Sequence, residues 1–537
     1  MKKDKERVVV VGAGMAGLTA AAYLARENFD VLLLDKNDRV GGLVGTFENK
    51  GFFFDSGPRA VVNSGIIQPI LKDLGIQWDF VRNVISIGIE DHLFSIHSMD
   101  DLQEYRRILI QLYPENKEDI DQIIAEISRI SEYTRVLYEF DNPNFVDLKH
   151  DRAFIFRKLI PWTFKFLNAL AKLHQYNVPM EDFLKARTTN PSLMDILIQH
   201  FFRKTPANFA LGYFYVYLDY LYPRGGTGVL SHLLKEKILE WGGEIQLNKT
   251  IVEIVPSESK VIDSEGKIYP YDHLIWAADL KTMYQRLNPL KLDATTAAKV
   301  KAEAQRKLSS KGAESVFILY LGVNRPPSFF QQNGGEHLFY TPSRQGLGAI
   351  KQEERIRILE KFDQLSKAEI LAWLEKYLTL NTFEISVPVL RDRSLSPEGQ
   401  SGVMASCLFD YEITQRAEQA GWYDEFKEFC ENRIIQILSE SIYPQIEKDI
   451  LFKFSSTPLT IQKISGSSEG AITGWSFETP LPVINTLKDI PNSVLTPLPN
   501  IYQAGQWVYS PAGVPTAMLT GWYAAQRVMK QTKKMKR

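Results

Sequence analysis

The chain has 537 residues, 45% hydrophobic and 24% charged, so it can bury a sizeable core spread over more than one structural unit. Its 63 Lys and Arg stand against 64 Asp and Glu, a formal charge of -1 that gives no global reason to bind nucleic acid. Only Cys407 and Cys430 are cysteines, which excludes a disulfide scaffold, and no grouped His, Cys, Asp and Glu have the spacing of a metal site.

At the N-terminus Lys2, Lys3 and Lys5 precede an apolar run over 8–11. The run is too short for a signal peptide and flows into a glycine-rich turn, so it reads as a buried strand. Gly12, Gly14 and Gly17 follow as G-x-G-x-x-G. The first permits a tight turn, the second lets backbone approach a diphosphate, and the third lets helix pack on strand. A helix over 16–28 then presents unpaired N–H groups to that diphosphate. A second strand over 31–34 ends at Asp35, whose carboxylate can accept both hydroxyls of an adenosine ribose and would repel a 2'-phosphate. Strand, glycines, alanine-rich helix, strand and acid together specify a dinucleotide site.

Past the acid come Arg39, Val40, Gly41 and Gly42, a hairpin turn at Asn49-Lys50-Gly51, and the stretch Phe53-Phe54-Asp55-Ser56-Gly57-Pro58. Here the sequence resembles the large FAD-binding amine oxidase and phytoene desaturase superfamily. The resemblance implies non-covalent FAD, with Gly41 and Gly42 approaching the flavin-side phosphate and the Asp55-Ser56-Gly57 turn leading back toward the isoalloxazine. Leu43 stands where relatives often carry an arginine.

Residues 81–220 read as largely helical, with helices over 119–138, 154–173 (interrupted early by Pro161) and 193–202. The 154–173 segment mixes Arg157, Lys158, Lys165 and Lys172 with large apolar residues and Trp162, which suits either insertion into one leaflet of a membrane or packing on a second lobe. The aromatic run from Phe209 to Tyr222 suits either core or the lining for a long apolar ligand. The turn Arg224-Gly225-Gly226-Thr227-Gly228 opens a helix over 229–240, followed by strands over 244–247, 249–255 and 273–277 that read as a return to the dinucleotide unit. By resemblance, the strand near Val252 packs on adenine. Strands over 315–321, 383–390 and 402–408 and a helix over 426–439 belong to a second sheet-bearing unit, and the charged helical stretch over 353–371 reads as solvent-facing.

Residues 456–478 and 500–528 are similar to the phytoene desaturase-like branch, which includes carotenoid desaturases, carotenoid isomerases and a retinol saturase. A strand over 500–504 exits at Gly505, and a helix from about 516 directs its N-terminus at the flavin pyrimidine edge. Gln506 replaces the acid that many flavoproteins carry after that glycine, and Ala512 and Pro515 alter the glycine-rich loop. The fold expected is α/β and α+β. A Rossmann-type FAD-binding domain is assembled from 1–80, 221–285 and 496–537, with a helical substrate- or membrane-facing region at 81–220 and a substrate-binding domain at 286–495. The basic tail beyond Lys530 reads as a solvated helix end, with attraction to an anionic membrane as the alternative.

On the resemblance, FAD is held by Gly12, Ala13, Gly14, Met15, Ala16, Gly17, Asp35, Lys36, Gly41, Gly42, Leu43, Gly57, Pro58, Arg59, Val252, Ala278, Gly505, Gln506, Gly513, Val514 and Pro515. The implied activity is that of a carotenoid desaturase, in which flavin N5 takes a hydride from a long isoprenoid. Alternatives are a reduced-flavin cis–trans isomerase or polyene saturase, an amine oxidase-like enzyme, and a non-enzymatic carrier that retains FAD. No general base is assigned; Arg59, Asp219 and Arg224 are the weak catalytic candidates. His92, His97 and His232 read as polar surface and Cys407 as core. Oxygen or a quinone would accept the electrons, and the implied location is cytoplasmic, peripheral on the cytoplasmic face of a membrane.

Overall fold

Strongly β-branched runs make the first sheet. In the computed structural model, which describes residues 5–138, 141–145, 155–350 and 352–535, the strand Arg7–Val11 lies at its centre with Val8, Val9 and Val10 fully buried. The order across the sheet is Glu244–Gln246, Asp30–Leu34, Arg7–Val11, His273–Trp276, Ile501–Gln503, and every pairing is parallel. Burial on both faces explains why these strands read as continuous apolar runs. The helix Met15–Arg26 covers one face and is buried from Met15 to Ala25. Against it packs the helix Val514–Met535, so closely that a Cβ on Gly521 would sit 2.2 Å from the Ala16 carbonyl oxygen. Lys2, Lys3, Phe154, Lys536 and Arg537 lie outside the described residues.

A seven-stranded sheet forms the second unit, in the order Ile450–Ser456, Ser315–Val323, Ser401–Phe409, Phe383–Ser386, His337–Thr341, Ile85–Ile89, His92–Ile96. Side chains alternate across it with period two. One face carries Leu319, Leu338, Ile385 and Ala405, buried against the helices Lys367–Leu380 and Tyr423–Glu440. On the other face the register places Phe339, Glu384, Ser406 and Ile318 in one row, and His337, Ser386, Met404 and Tyr320 in the next.

Several sequence expectations change. The 81–220 stretch supplies the hairpin Ile85–Ile89/His92–Ile96, which completes the far edge of this sheet by pairing parallel to His337–Thr341. The strand expected over 383–390 stops at Ser386, because Pro388 opens the 3-10 turn Pro388–Leu390. The solvent-facing helix expected over 353–371 is two helices. The second, Lys367–Leu380, is capped reciprocally by Ser366 and Glu369 and buries Ile370, Trp373, Leu374 and Leu378. Cys407 is core, and burial pushes its thiol up to about 12. Among the described residues no helix is long and apolar enough to cross a membrane.

Candidate functional site

The first glycine turn is shaped by backbone contacts. Gly12 has φ +107°, and a Cβ there would lie 2.8 Å from the Ala277 carbonyl oxygen; one on Gly17 would lie 1.8 Å from that of Gly12. Gly14 differs, since a Cβ there would meet nothing within 4 Å. It is the N-cap of the helix Met15–Arg26, no side chain caps that helix, and no acid occupies its first turn. The helix start therefore faces open space with its N–H groups and positive dipole end available to an anion. Gly41 closes the other wall: its N–H donates to the Ala13 carbonyl at 2.8 Å, and a Cβ on Gly42 would lie 3.3 Å from the Gly14 Cα. A diphosphate fits this cradle, which a Cβ at Gly14 would enter.

Asp35 ends the second strand, and its carboxylate oxygens accept the N–H of Ala13 at 2.7 Å and of Asn37 at 2.8 Å. Burial pushes the carboxyl up, opposed by those two bonds. The acid thus anchors the turn and retains lone pairs for a ribose. The Lys36 ammonium donates to the Lys463 carbonyl, placing it against the 458–465 helix. Val252 sits where the register of its hairpin shifts, is 44% exposed, and follows Lys249, whose N–H donates to the Asp35 carbonyl. An exposed apolar side chain three residues past the Asp35-bound Lys249 suits an adenine.

Toward the other end, Ala278 follows the central strand, and Gly505 (φ +104°) leaves the last one with its N–H bound to Thr520 Oγ1. Gln506 directs Nε2 toward Ser467 Oγ at 3.5 Å. Gly513 donates to Thr516 Oγ1, Pro515 has no N–H, and the helix begins at Val514, two residues earlier than expected. Leu43 and Gly57 run in backbone contact, for a Cβ on Gly57 would lie 2.0 Å from the Leu43 carbonyl oxygen. Pro58 continues that turn, half-buried. Behind it Asp55, 1% exposed, accepts from Thr46, Tyr222 and both the N–H and hydroxyl of Thr227. One carboxylate so ties the hairpin to the 222–228 segment.

The three catalytic candidates fall in different places. Arg59 is buried, donating Nη1 to the carbonyls of Asp55 and Gly57. Asp219 accepts the Ser64 N–H at 2.7 Å, and burial raises its carboxyl to about 6. Arg224 pairs with Asp79 at 3.1 Å, the two side chains 48% and 73% exposed, and donates Nη1 to the Arg391 carbonyl at 3.4 Å.

Residues that sequence reasoning passed over converge beneath the seven-stranded sheet. Arg391, 5% exposed, donates to the Arg59 carbonyl, to Asn83 Oδ1 at 2.6 Å and to Ser386 Oγ, and its guanidinium lies 3.8 Å from the centre of the Tyr222 ring. Arginine cannot accept, so Asn83 turns its oxygen to Arg391 and its NH2 to His337 Nδ1 at 3.1 Å. Neutral His337 then carries its proton on Nε2 and donates to Glu384 Oε1 at 3.0 Å. Burial lowers His337, outweighing the pull of Glu384. Burial raises Glu384, but the bond and charge of His337, with Arg59 and Ser406, outweigh it and hold the carboxyl below its ordinary value. The chain Arg391–Asn83–His337–Glu384 thus ends in a carboxylate.

Around this end stand aromatic rings. Phe339 lies 5.5 Å from His337, 5.5 Å from His200 and 5.7 Å from Tyr217, while Tyr213 lies 5.2 Å from Tyr217 and hydrogen-bonds the Tyr220 hydroxyl. His337 is 1% accessible, whereas the Glu384 side chain keeps 34% of its surface accessible. Much of the aromatic run beginning at Phe209 is packed as core. Phe214, Tyr217 and Tyr222 are core, Tyr213 packs against them, and the Glu384 charge reaches both Tyr213 and Tyr217.

A model of the flavin containing amine oxidoreductase family matches residues 15–361. A 4,4'-diapolycopene oxygenase of Methylomonas sp is 24% identical, the match covering 98% of each chain. A 4,4'-diapophytoene desaturase (4,4'-diaponeurosporene-forming) of Staphylococcus aureus is 20% identical over 98% of this chain and 99% of that one. The solved structure of wild-type putrescine oxidase bound to putrescine superposes with a TM-score of 0.57 at 13% identity, covering 98% and 99% of the two chains.

Proposed function

The chain belongs to the flavin-containing amine oxidoreductase family, and from that premise we propose that it is an FAD-dependent desaturase of a long isoprenoid polyene. Family membership and the open cradle at Gly14 support FAD, held by the turn residues described above; when bound, FAD supplies the hydride acceptor. The observation that carries the substrate class is the cluster of aromatic rings, Phe339, Tyr213 and Tyr217, beside the partly accessible Glu384, joined through Arg391 and the Arg59 carbonyl to the Gly57 turn. Flat apolar walls hold a conjugated chain in line and exclude water. The desaturase and oxygenase names of the two polyene relatives agree with this class.

A membrane would deliver such a substrate. On and beside the helix Ile160–His174, Phe156 is 70% exposed, Phe164 71% and Leu167 56%, with Arg157, Lys158 and Lys165 between them, a pattern suited to a membrane surface. Trp162 is not part of that face: it is buried and donates to the Val136 carbonyl. Oxygen or a quinone is the proposed final electron acceptor.

A second reading, amine oxidation, is favoured by Glu384 itself, since a carboxylate among aromatic rings also suits a substrate cation. Product analysis separates them. The FAD-loaded protein is incubated with acyclic carotenes in liposomes and, separately, with diamines. The desaturase reading expects a red-shifted polyene lighter by two hydrogens. An isomer of unchanged mass, a saturated product, a product containing added oxygen, or turnover of amines alone would each replace it.

A further inference from the structure

We infer that Glu384 is the proton acceptor of the reaction, aimed by the hydrogen-bonded chain Arg391–Asn83–His337. This rests on the desaturase reading. Removing two hydrogens from a saturated C–C bond breaks two C–H bonds. One electron pair leaves with its hydrogen as hydride to the oxidant, bound FAD. The neighbouring C–H gives up a proton, and its electron pair closes the new double bond. A hydrocarbon has no group of its own to take that proton, so the protein must offer a base within reach.

Glu384 meets the requirements that the other candidates fail. Asp219 is bound to the Ser64 N–H and burial raises its carboxyl to about 6. Asp55 is saturated by Thr46, Tyr222 and Thr227. Glu384 accepts from His337 at one oxygen and meets only Ser406 Oγ at the other, at 3.4 Å, so lone pairs remain. His337 lies beneath it in the strand Phe383–Ser386/His337–Thr341 pairing, and Phe339 is its direct cross-strand neighbour. The groups facing it from the packed elements are His337, His200, Tyr213, Tyr217, Tyr220 and Arg59. His200 is held neutral, lowered to about 4 by burial, and the tyrosines are raised by burial, so the carboxylate is the base of this group. His337, Asn83 and Arg391 are positioning residues. They lock one tautomer and keep a hydrogen-bond donor under the carboxylate, without touching substrate.

The test compares wild type, Glu384→Gln and Glu384→Asp, each loaded with FAD, under anaerobic mixing with an acyclic carotene in liposomes. Flavin content and carotene binding are measured first, and both should be unchanged in Glu384→Gln. Flavin reduction should slow by about 100-fold or more and lose its acid-side pH dependence, with Glu384→Asp recovering part of the rate. Glu384→Gln that matches wild type in rate and pH profile overturns the proposal. So does a variant whose only defect is carotene binding. A second readout is independent of turnover: carbodiimide labelling of Glu384, read by peptide mass spectrometry, should be blocked by bound carotene. If no polyene reduces wild type, the desaturase reading falls on its own. Labelling that carotene leaves unblocked overturns the place of Glu384 at the substrate. Flavin reduction by a diamine with Glu384→Gln raising KM alone would make it a cation site and also overturn the proposal.

Discussion

The two sheets present their functional surfaces in opposite ways. At the parallel sheet the site is largely backbone: Gly12, Gly14, Gly17, Gly41 and Gly42 matter for the side chains they lack, and their sequence spacing sets the turn, with Ala277 and Ser231 closing it from distant strands and helices. At the seven-stranded sheet the site is side chain, and its members Asn83, His337, Glu384 and Arg391 come from three distant stretches brought together by strand pairing and side-chain hydrogen bonds. The first kind leaves no room for a side chain at Gly12, Gly17 or Gly41 and is anchored by one buried acid, Asp35. The second depends on a buried guanidinium whose removal strands several polar partners.

Gly17 and Gly14 separate packing from ligand binding within one turn. Gly17→Val drives a side chain into the Gly12 carbonyl, and a loss of about 3 kcal/mol or more, with loss of flavin, is expected in thermal unfolding and absorption. Gly14→Ala meets no protein atom, so its melting temperature without FAD should match wild type while FAD affinity falls at least about tenfold. Equal destabilisation by both would break the contrast.

Arg391→Met tests the side-chain site. It leaves Asn83 Oδ1, Ser386 Oγ and the Arg59 carbonyl without their donor, and about 3 kcal/mol of stability should be lost in denaturant titration. FAD bound at the distant glycine cradle should persist in the fraction that folds.

Asp219 gives a pH signature. Burial raises its carboxyl to about 6, above an unfolded value of about 3.9, so the folded state favours the protonated form. Its relative stabilisation is present below about pH 4 and is lost as pH rises through about 6. Asp219→Asn should therefore equal wild type near pH 4 and exceed it by about 1–2 kcal/mol at pH 7, the gain being limited by partial exposure. Phe164→Ser with Leu167→Ser should change stability by less than about 0.5 kcal/mol while weakening liposome co-sedimentation. Unchanged co-sedimentation would move the membrane face elsewhere.

How far the sequence could be read follows the same division. The glycine triplet, Asp35 and the 229–240 helix are local patterns, and the helix occupies Val229–Glu240 as expected. Strand ends were less legible: Pro388 cut one strand short, and nothing local announced that Ile85–Ile89 would pair with His337–Thr341. Glu384 lies in Phe383-Glu384-Ile385-Ser386, whose alternation resembles any strand with one wet face. That this face meets an aromatic cluster depends on Tyr213 and Tyr217, more than 150 positions earlier in the chain. The one available signal was a Glu and a Ser on a strand from a unit already assigned to substrate.

The most direct test of the account is the visible flavin spectrum of the FAD-loaded protein, recorded without oxygen as a linear carotene in liposomes is added. The account predicts that the flavin band bleaches in proportion to carotene consumed. A full flavin band that no carotene diminishes, in protein that binds the carotene, would contradict it.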